Sequence, residues 1–104
     1  MEIINILYIG RNAQILDIVI RLINSNDNWN GVGMLCDEKA KQVFMQTNFS
    51  IVLLGPGIEQ ERESELRSYF TKVNPTIKIV QHYGGGSGLL QSEILSAIAP
   101  AENR

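Results

Sequence analysis

Residues 3–23 read IINILYIGRNAQILDIVIRLI, and the change of period inside this stretch decides the fold. From Ile3 to Ile9 the chain is almost continuously apolar, and the run stops at Gly10. A strand buried on both faces of a parallel sheet reads this way, whereas a strand with one wet face alternates. Beyond Gly10, the residues Ile15, Ile18, Val19, Leu22 and Ile23 recur at helical spacing. Asn12 stands where an N-cap is needed, because its side-chain oxygen can accept from an amide that has no partner within the first turn. The turn formers at 24–28 close the helix. One buried strand followed by one amphipathic helix is the unit of an α/β protein.

The unit repeats three times. A second strand is expected over 32–36 after Gly31, with Trp29 in the turn before it. Asp37 is the expected N-cap of a helix marked by Ala40, Val43, Phe44 and Thr47. A third strand over 51–54 is wholly aliphatic and stops at Gly55-Pro56-Gly57, since Pro56 cannot donate a ladder hydrogen bond. The third helix, over 59–73, buries Leu66, Tyr69, Phe70 and Val73 and has a glutamate-rich start, which the helix dipole favours. A fourth strand over 77–80 runs into Gly84-Gly85-Gly86-Ser87-Gly88. Ser87 is the expected cap of a last helix lined by Leu90, Ile94, Ala97 and Ile98, which Pro100 ends. Residues 1–100 form one domain on this reading, and 101–104 a polar tail.

Four alternating units imply a three-layer α/β fold with a parallel sheet and helices on both faces. The order 2-1-3-4, a truncated flavodoxin-like topology, suits the composition. It puts the two most aliphatic strands at the centre and leaves Gly33 and Lys78 on the edges, where a lysine guards against unwanted pairing.

Composition narrows the function classes. The chain has 104 residues, 44% hydrophobic and 19% charged, with net charge −2. That balance fits a globular domain and argues against nucleic acid or an anionic membrane as the main partner. One cysteine, Cys36, and one histidine, His82, allow neither an internal disulfide nor a cysteine–histidine zinc site. No apolar stretch is long enough to span a bilayer and the N-terminus lacks a basic region, so the expected compartment is the cytoplasm.

The stretches 6–16 (ILYIGRNAQIL) and 51–55 (IVLLG), and more faintly Leu89-Leu90-Gln91, resemble a bacterial response-regulator receiver domain. The resemblance implies a signalling module whose acids hold magnesium at the end of strand one and whose aspartate accepts phosphate at the end of strand three. Here the paired acids fall on Gly10 and Arg11, and the phospho-acceptor falls on Gly55. The switch hydroxyl falls near Gln81 or His82, and the late lysine near Gln91. Phosphoryl transfer of this kind needs a carboxylate nucleophile and a cation held by carboxylates, and glycine offers neither. The segment from Gln81 to Leu89 is also too short for a further parallel crossover. One strand–helix unit of the family is therefore absent, which leaves strand four as an edge and sets the last helix beside the first.

Ligands of open α/β sheets bind at the carboxyl ends of the strands. The candidate ligand-binding residues there are Arg11, Asn12, Gly55, Gly57, His82 and Ser87. Arg11 beside a helix N-terminus suits an anion such as phosphate or a nucleotide, or it simply faces water while the glycines make turns. The glycine-rich segment lacks the lysine of a Walker loop, and no cofactor or metal is implied. Cys36 before a helix has the setting of an acidified thiol, but in this strand order it lies on the far edge from His82, so no catalytic pair forms. His82 and Tyr83 read as a partly exposed pair near a loop or as a recognition surface. The residues point to a non-catalytic regulatory or interaction module with a protein partner or a second copy of itself. The alternative is a small anionic ligand held around Arg11.

Overall fold

Each expected strand is followed by its helix in the computed structural model, which describes residues 3–82 and 87–98, with side chains in the second segment from residue 89 onward. The elements are β1 (Ile4–Ile9), α1 (Ala13–Asn24), β2 (Trp29–Met34), α2 (Asp37–Gln46), β3 (Ile51–Leu54), α3 (Gln60–Val73), β4 (Lys78–Gln81) and α4 (Ser87–Ile98). The expected tail at 101–104 and the glycines at 84–86 lie outside the described residues. Among the described residues, no helix is long and apolar enough to cross a membrane.

The strands form one parallel sheet in the order β2-β1-β3-β4. β1 and β3 are central, and Ile6–Ile9 and Ile51–Leu54 are buried on both faces. Alternation along these strands divides the core in two. Ile6, Tyr8, Ile51 and Leu53 meet Val19 and Ile23 of α1 and Leu90 and Ile94 of α4. Leu7, Ile9, Val52 and Leu54 meet Ala40 and Phe44 of α2 and Leu66 and Phe70 of α3. Burying each of these larger side chains contributes about 1.5–3 kcal/mol before the entropy of ordering it is subtracted. The last helix thus shares a face with the first, as expected, and β4 is an edge.

Four local expectations need correction. β2 begins at Trp29, which is paired with Ile4 and buried rather than held in the turn. A tight turn in which the Trp29 amide donates to the Asn26 carbonyl brings the indole into register over the core. Asp37 is the first residue of α2, not its cap. Cys36 holds the cap position without a side-chain bond, because the first helical amide bond, from Ala40, already ends on the Cys36 carbonyl, and the Asp37 carboxylate bonds Arg11. β4 is shifted by one residue, to Lys78–Gln81. Val73, the last residue of α3, is exposed, and the buried stripe of that helix ends at Phe70.

The buried face of α1 is also rotated. Leu16, Val19, Ile20 and Ile23 face the core, while Ile15 and Ile18 are exposed. The cause lies on the neighbouring strand. A Cβ on Gly33 would stand 2.7 Å from the Leu16 side chain, and one on Gly31 would stand 2.9 Å from Ile23. The two glycines let α1 settle onto β2, and that contact sets which side of the helix is covered.

Candidate functional site

The strand ladders run one residue beyond β1, β3 and β4. The Gly10 amide donates to the Met34 carbonyl, Gly55 to Ile9 and His82 to Leu54. Gly10, Gly55 and His82 therefore form a row across the top of the sheet, on the face that carries α1 and α4. Tyr8 lies on that same face, two residues before Gly10. Its ring extends along the sheet over both glycines. A Cβ on Gly10 would be 2.9 Å from the Tyr8 ring, and a Cβ on Gly55 would collide with the Tyr8 hydroxyl and its ring carbon. Burial pushes the Tyr8 phenol above its ordinary pKa, so it stays neutral.

His82 closes the row. It is 3% exposed rather than partly exposed as expected, and Tyr83, the other member of the expected pair, lies outside the described residues. Its Nδ1 lies 2.6 Å from Glu93 Oε1 on α4, and its ring meets Tyr8 edge to face at 6.4 Å. The bond ties the end of β4 to α4 across eleven residues. Gln81, which precedes His82 at the end of β4, donates through Nε2 to the Leu54 carbonyl at 3.0 Å and so finishes the end of β3.

Arg11 leaves β1 on the other side of the row and joins three loops. Its two terminal nitrogens meet the two oxygens of Asp37 at 3.0 Å each, a bidentate pair. One of them also reaches the Leu35 carbonyl at 3.4 Å, and Nε reaches Glu59 at 3.4 Å. The Arg11 and Asp37 side chains are only 25% and 13% exposed, whereas Glu59 is largely in water. The bond to Asp37 raises the Arg11 pKa above its ordinary value despite partial burial. The Glu59 carboxyl is held below the usual carboxylate value, first by its own backbone amide and then by Arg11.

The other residues singled out in the sequence fall around this cluster. Asn12 caps α1, its Oδ1 accepting from the Ile15 amide at 2.9 Å. Gly57 has φ +89°, a conformation that favours glycine, and it packs beside the Arg11 stem. Ser87 opens α4, and its side chain lies outside the described residues. Cys36 is exposed, in a shallow groove with Arg11, Asp37, Glu38, Glu59 and Arg62. Arg11 and Gly57 are thus brought together, as are Gly55 and His82. The partners that complete each pair, Asp37, Glu59, Tyr8 and Glu93, carried no functional signal in the sequence. The detectable hint was a tyrosine two residues before a glycine, with a second glycine at the end of the strand that pairs with it.

No protein-family model and no curated protein matches the chain. Solved structures do. A CheY-like response-regulator receiver domain protein from Methanospirillum hungatei superposes with a TM-score of 0.69 at 17% identity, covering 94% of this chain and 78% of that one. The fold is a four-stranded, flavodoxin-like (CheY-like) α/β fold. The receiver domain of an Escherichia coli stress response regulator matches with a TM-score of 0.62 at 13% identity, over 92% of this chain and 76% of that one. The lactose-specific IIB domain of a phosphotransferase system from Streptococcus pneumoniae reaches 0.65 at 12% identity, over 93% of this chain and 92% of that one. Part of each receiver is left unmatched. Gly10 and Arg11 follow β1 and Gly55 follows β3, and none of the three carries a carboxylate.

Proposed function

We propose that this chain is a non-catalytic, receiver-like regulatory module that works by binding a protein partner or a second copy of itself and is not phosphorylated on aspartate. The observation that carries this reading is that the strand-end crevice is filled from within. The Tyr8 ring lies over Gly10 and Gly55, and Arg11 is taken by Asp37 and Glu59. A phospho-acceptor at Gly55 would need a carboxylate and room for a phosphoryl group, and neither is there. The anion-binding alternative around Arg11, Asn12, Gly55, Gly57, His82 and Ser87 is weakened by the same pairing, since an incoming anion must displace a bidentate carboxylate and meet Glu59. The surfaces left for a partner are the β4 edge and the outer side of α4, where Leu89 and Leu95 are exposed.

Incubation with acetyl phosphate and magnesium, read by intact mass, leaves the protein unmodified on this reading. Light scattering after gel filtration at micromolar to millimolar protein, with a two-hybrid screen, detects a dimer or a partner. An acid-labile aspartyl phosphate, or inorganic phosphate raising the melting temperature of wild type but not of Arg11→Ala, would replace this reading.

A further inference from the structure

The receiver fold implies a magnesium ion held by acids at the ends of β1 and β3, and the residues present do not fit one. Gly10 and Gly55 bring no side-chain donor, and Arg11 brings a positive charge. Yet the crevice does contain carboxylates, on two other loops. Asp37 follows β2 and Glu59 precedes α3, and both turn toward the same point, where the Leu35 carbonyl is also directed. These three oxygen-bearing groups converge on the Arg11 guanidinium.

We propose that Arg11 is the resident cation of this crevice, a built-in positive charge that takes the place of a bound metal and holds the segments after β1, β2 and β3 in one arrangement. The inference rests on the reading of the chain as an unphosphorylated receiver-like module and says how such a module is held in a single state. The geometry supports it in three ways. The bond to Asp37 uses both guanidinium nitrogens and both carboxylate oxygens, which fixes direction as well as distance. Asp37 opens α2 just after β2 and Glu59 is the N-cap residue of α3, so one guanidinium ties together the starts of two helices. Gly57 packs on the Arg11 stem in a left-handed turn, so the loop after β3 is shaped around the arginine. A guanidinium tethered to β1 cannot dissociate or exchange, so the arrangement of these segments does not depend on the supply of a divalent ion.

The test is thermal unfolding of wild type, R11M and R11K with and without millimolar MgCl2 or CaCl2, at ionic strength matched by NaCl. Wild type and R11K keep the same melting temperature with and without the divalent ion. R11M melts lower and recovers several degrees when the ion is added, and the double variant R11M/D37N loses that recovery. A wild-type protein that the ion stabilises as it does R11M overturns the proposal. So does an R11M that folds and ignores the ion, or an R11K that responds as R11M does. If R11M is unfolded alone, folding on addition of the ion supports the proposal, and failure to fold with it refutes it. Phosphorylation or partner binding is read separately, by mass and light scattering, so the functional reading can fail without moving these melting curves.

Discussion

The Tyr8 hydroxyl occupies the space that a side chain on Gly55 would need. The two residues belong to neighbouring strands and share a face of the sheet, and the large one is accommodated because the other has no Cβ. Tyr8 is 1% exposed in this position. A side chain at residue 55 therefore fits this backbone only if the Tyr8 ring gives way.

Gly55→Ala is expected to destabilise the fold by about 1–3 kcal/mol through overpacking. Tyr8→Phe removes the colliding hydroxyl, so Y8F/G55A costs less than the sum of the single variants by at least about 0.5 kcal/mol. Equilibrium urea unfolding of the four proteins measures the coupling. Strict additivity would show that Tyr8 moves aside freely.

Glu93→Ala leaves the buried His82 nitrogen without its partner and is expected to cost about 1–3 kcal/mol. Glu93→Gln keeps a hydrogen-bonding group and costs less. The loss falls on α4, so amide exchange over 89–98 speeds up in E93A before exchange in β1 and β3 does. Equal acceleration across the sheet would argue against a local tie.

The Glu59 carboxyl titrates below its ordinary value of 4.5 in the folded protein. The stability it contributes is present above that value and is lost as pH falls through the lower, folded one. Glu59→Gln removes this proton linkage, so its melting temperature falls less steeply with pH below 4.5 than that of wild type. The effect shrinks at high salt, because the carboxylate lies largely in water. Identical acid limbs in the two proteins would mean that Glu59 has the same pKa folded and unfolded.

Lys78 is exposed at the start of the β4 edge strand. Lys78→Val removes the charge that discourages edge pairing and is expected to raise the apparent mass in sedimentation velocity at rising protein concentration. An unchanged mass would place the guard elsewhere on that edge.

The alternation of buried strand and amphipathic helix was legible in the chain because period and apolarity are local. Residues 3–9 and 51–54 are aliphatic for nearly the whole length of a strand, Pro56 stops the third strand and Pro75 the third helix. The order β2-β1-β3-β4 came from handed crossovers and from which strands could bear full burial. The cap at Asn12 was legible for the same reason, since donor and acceptor lie three residues apart. Long-range pairings were not. Arg11 and Asp37 are separated by 26 residues and His82 and Glu93 by 11, and an aspartate at a helix start looks the same whether it caps the helix or binds a distant arginine. Tyr8 looked like any strand residue until the sheet set Gly10 and Gly55 beside it. The rotation of α1, too, depended on two glycines in another strand. Local periodicity thus determined the elements, and crossover handedness together with strand composition their order. Only tertiary packing decided that the charge and the space at the strand ends are already taken, because both are properties of residues that meet through the fold and not along the chain.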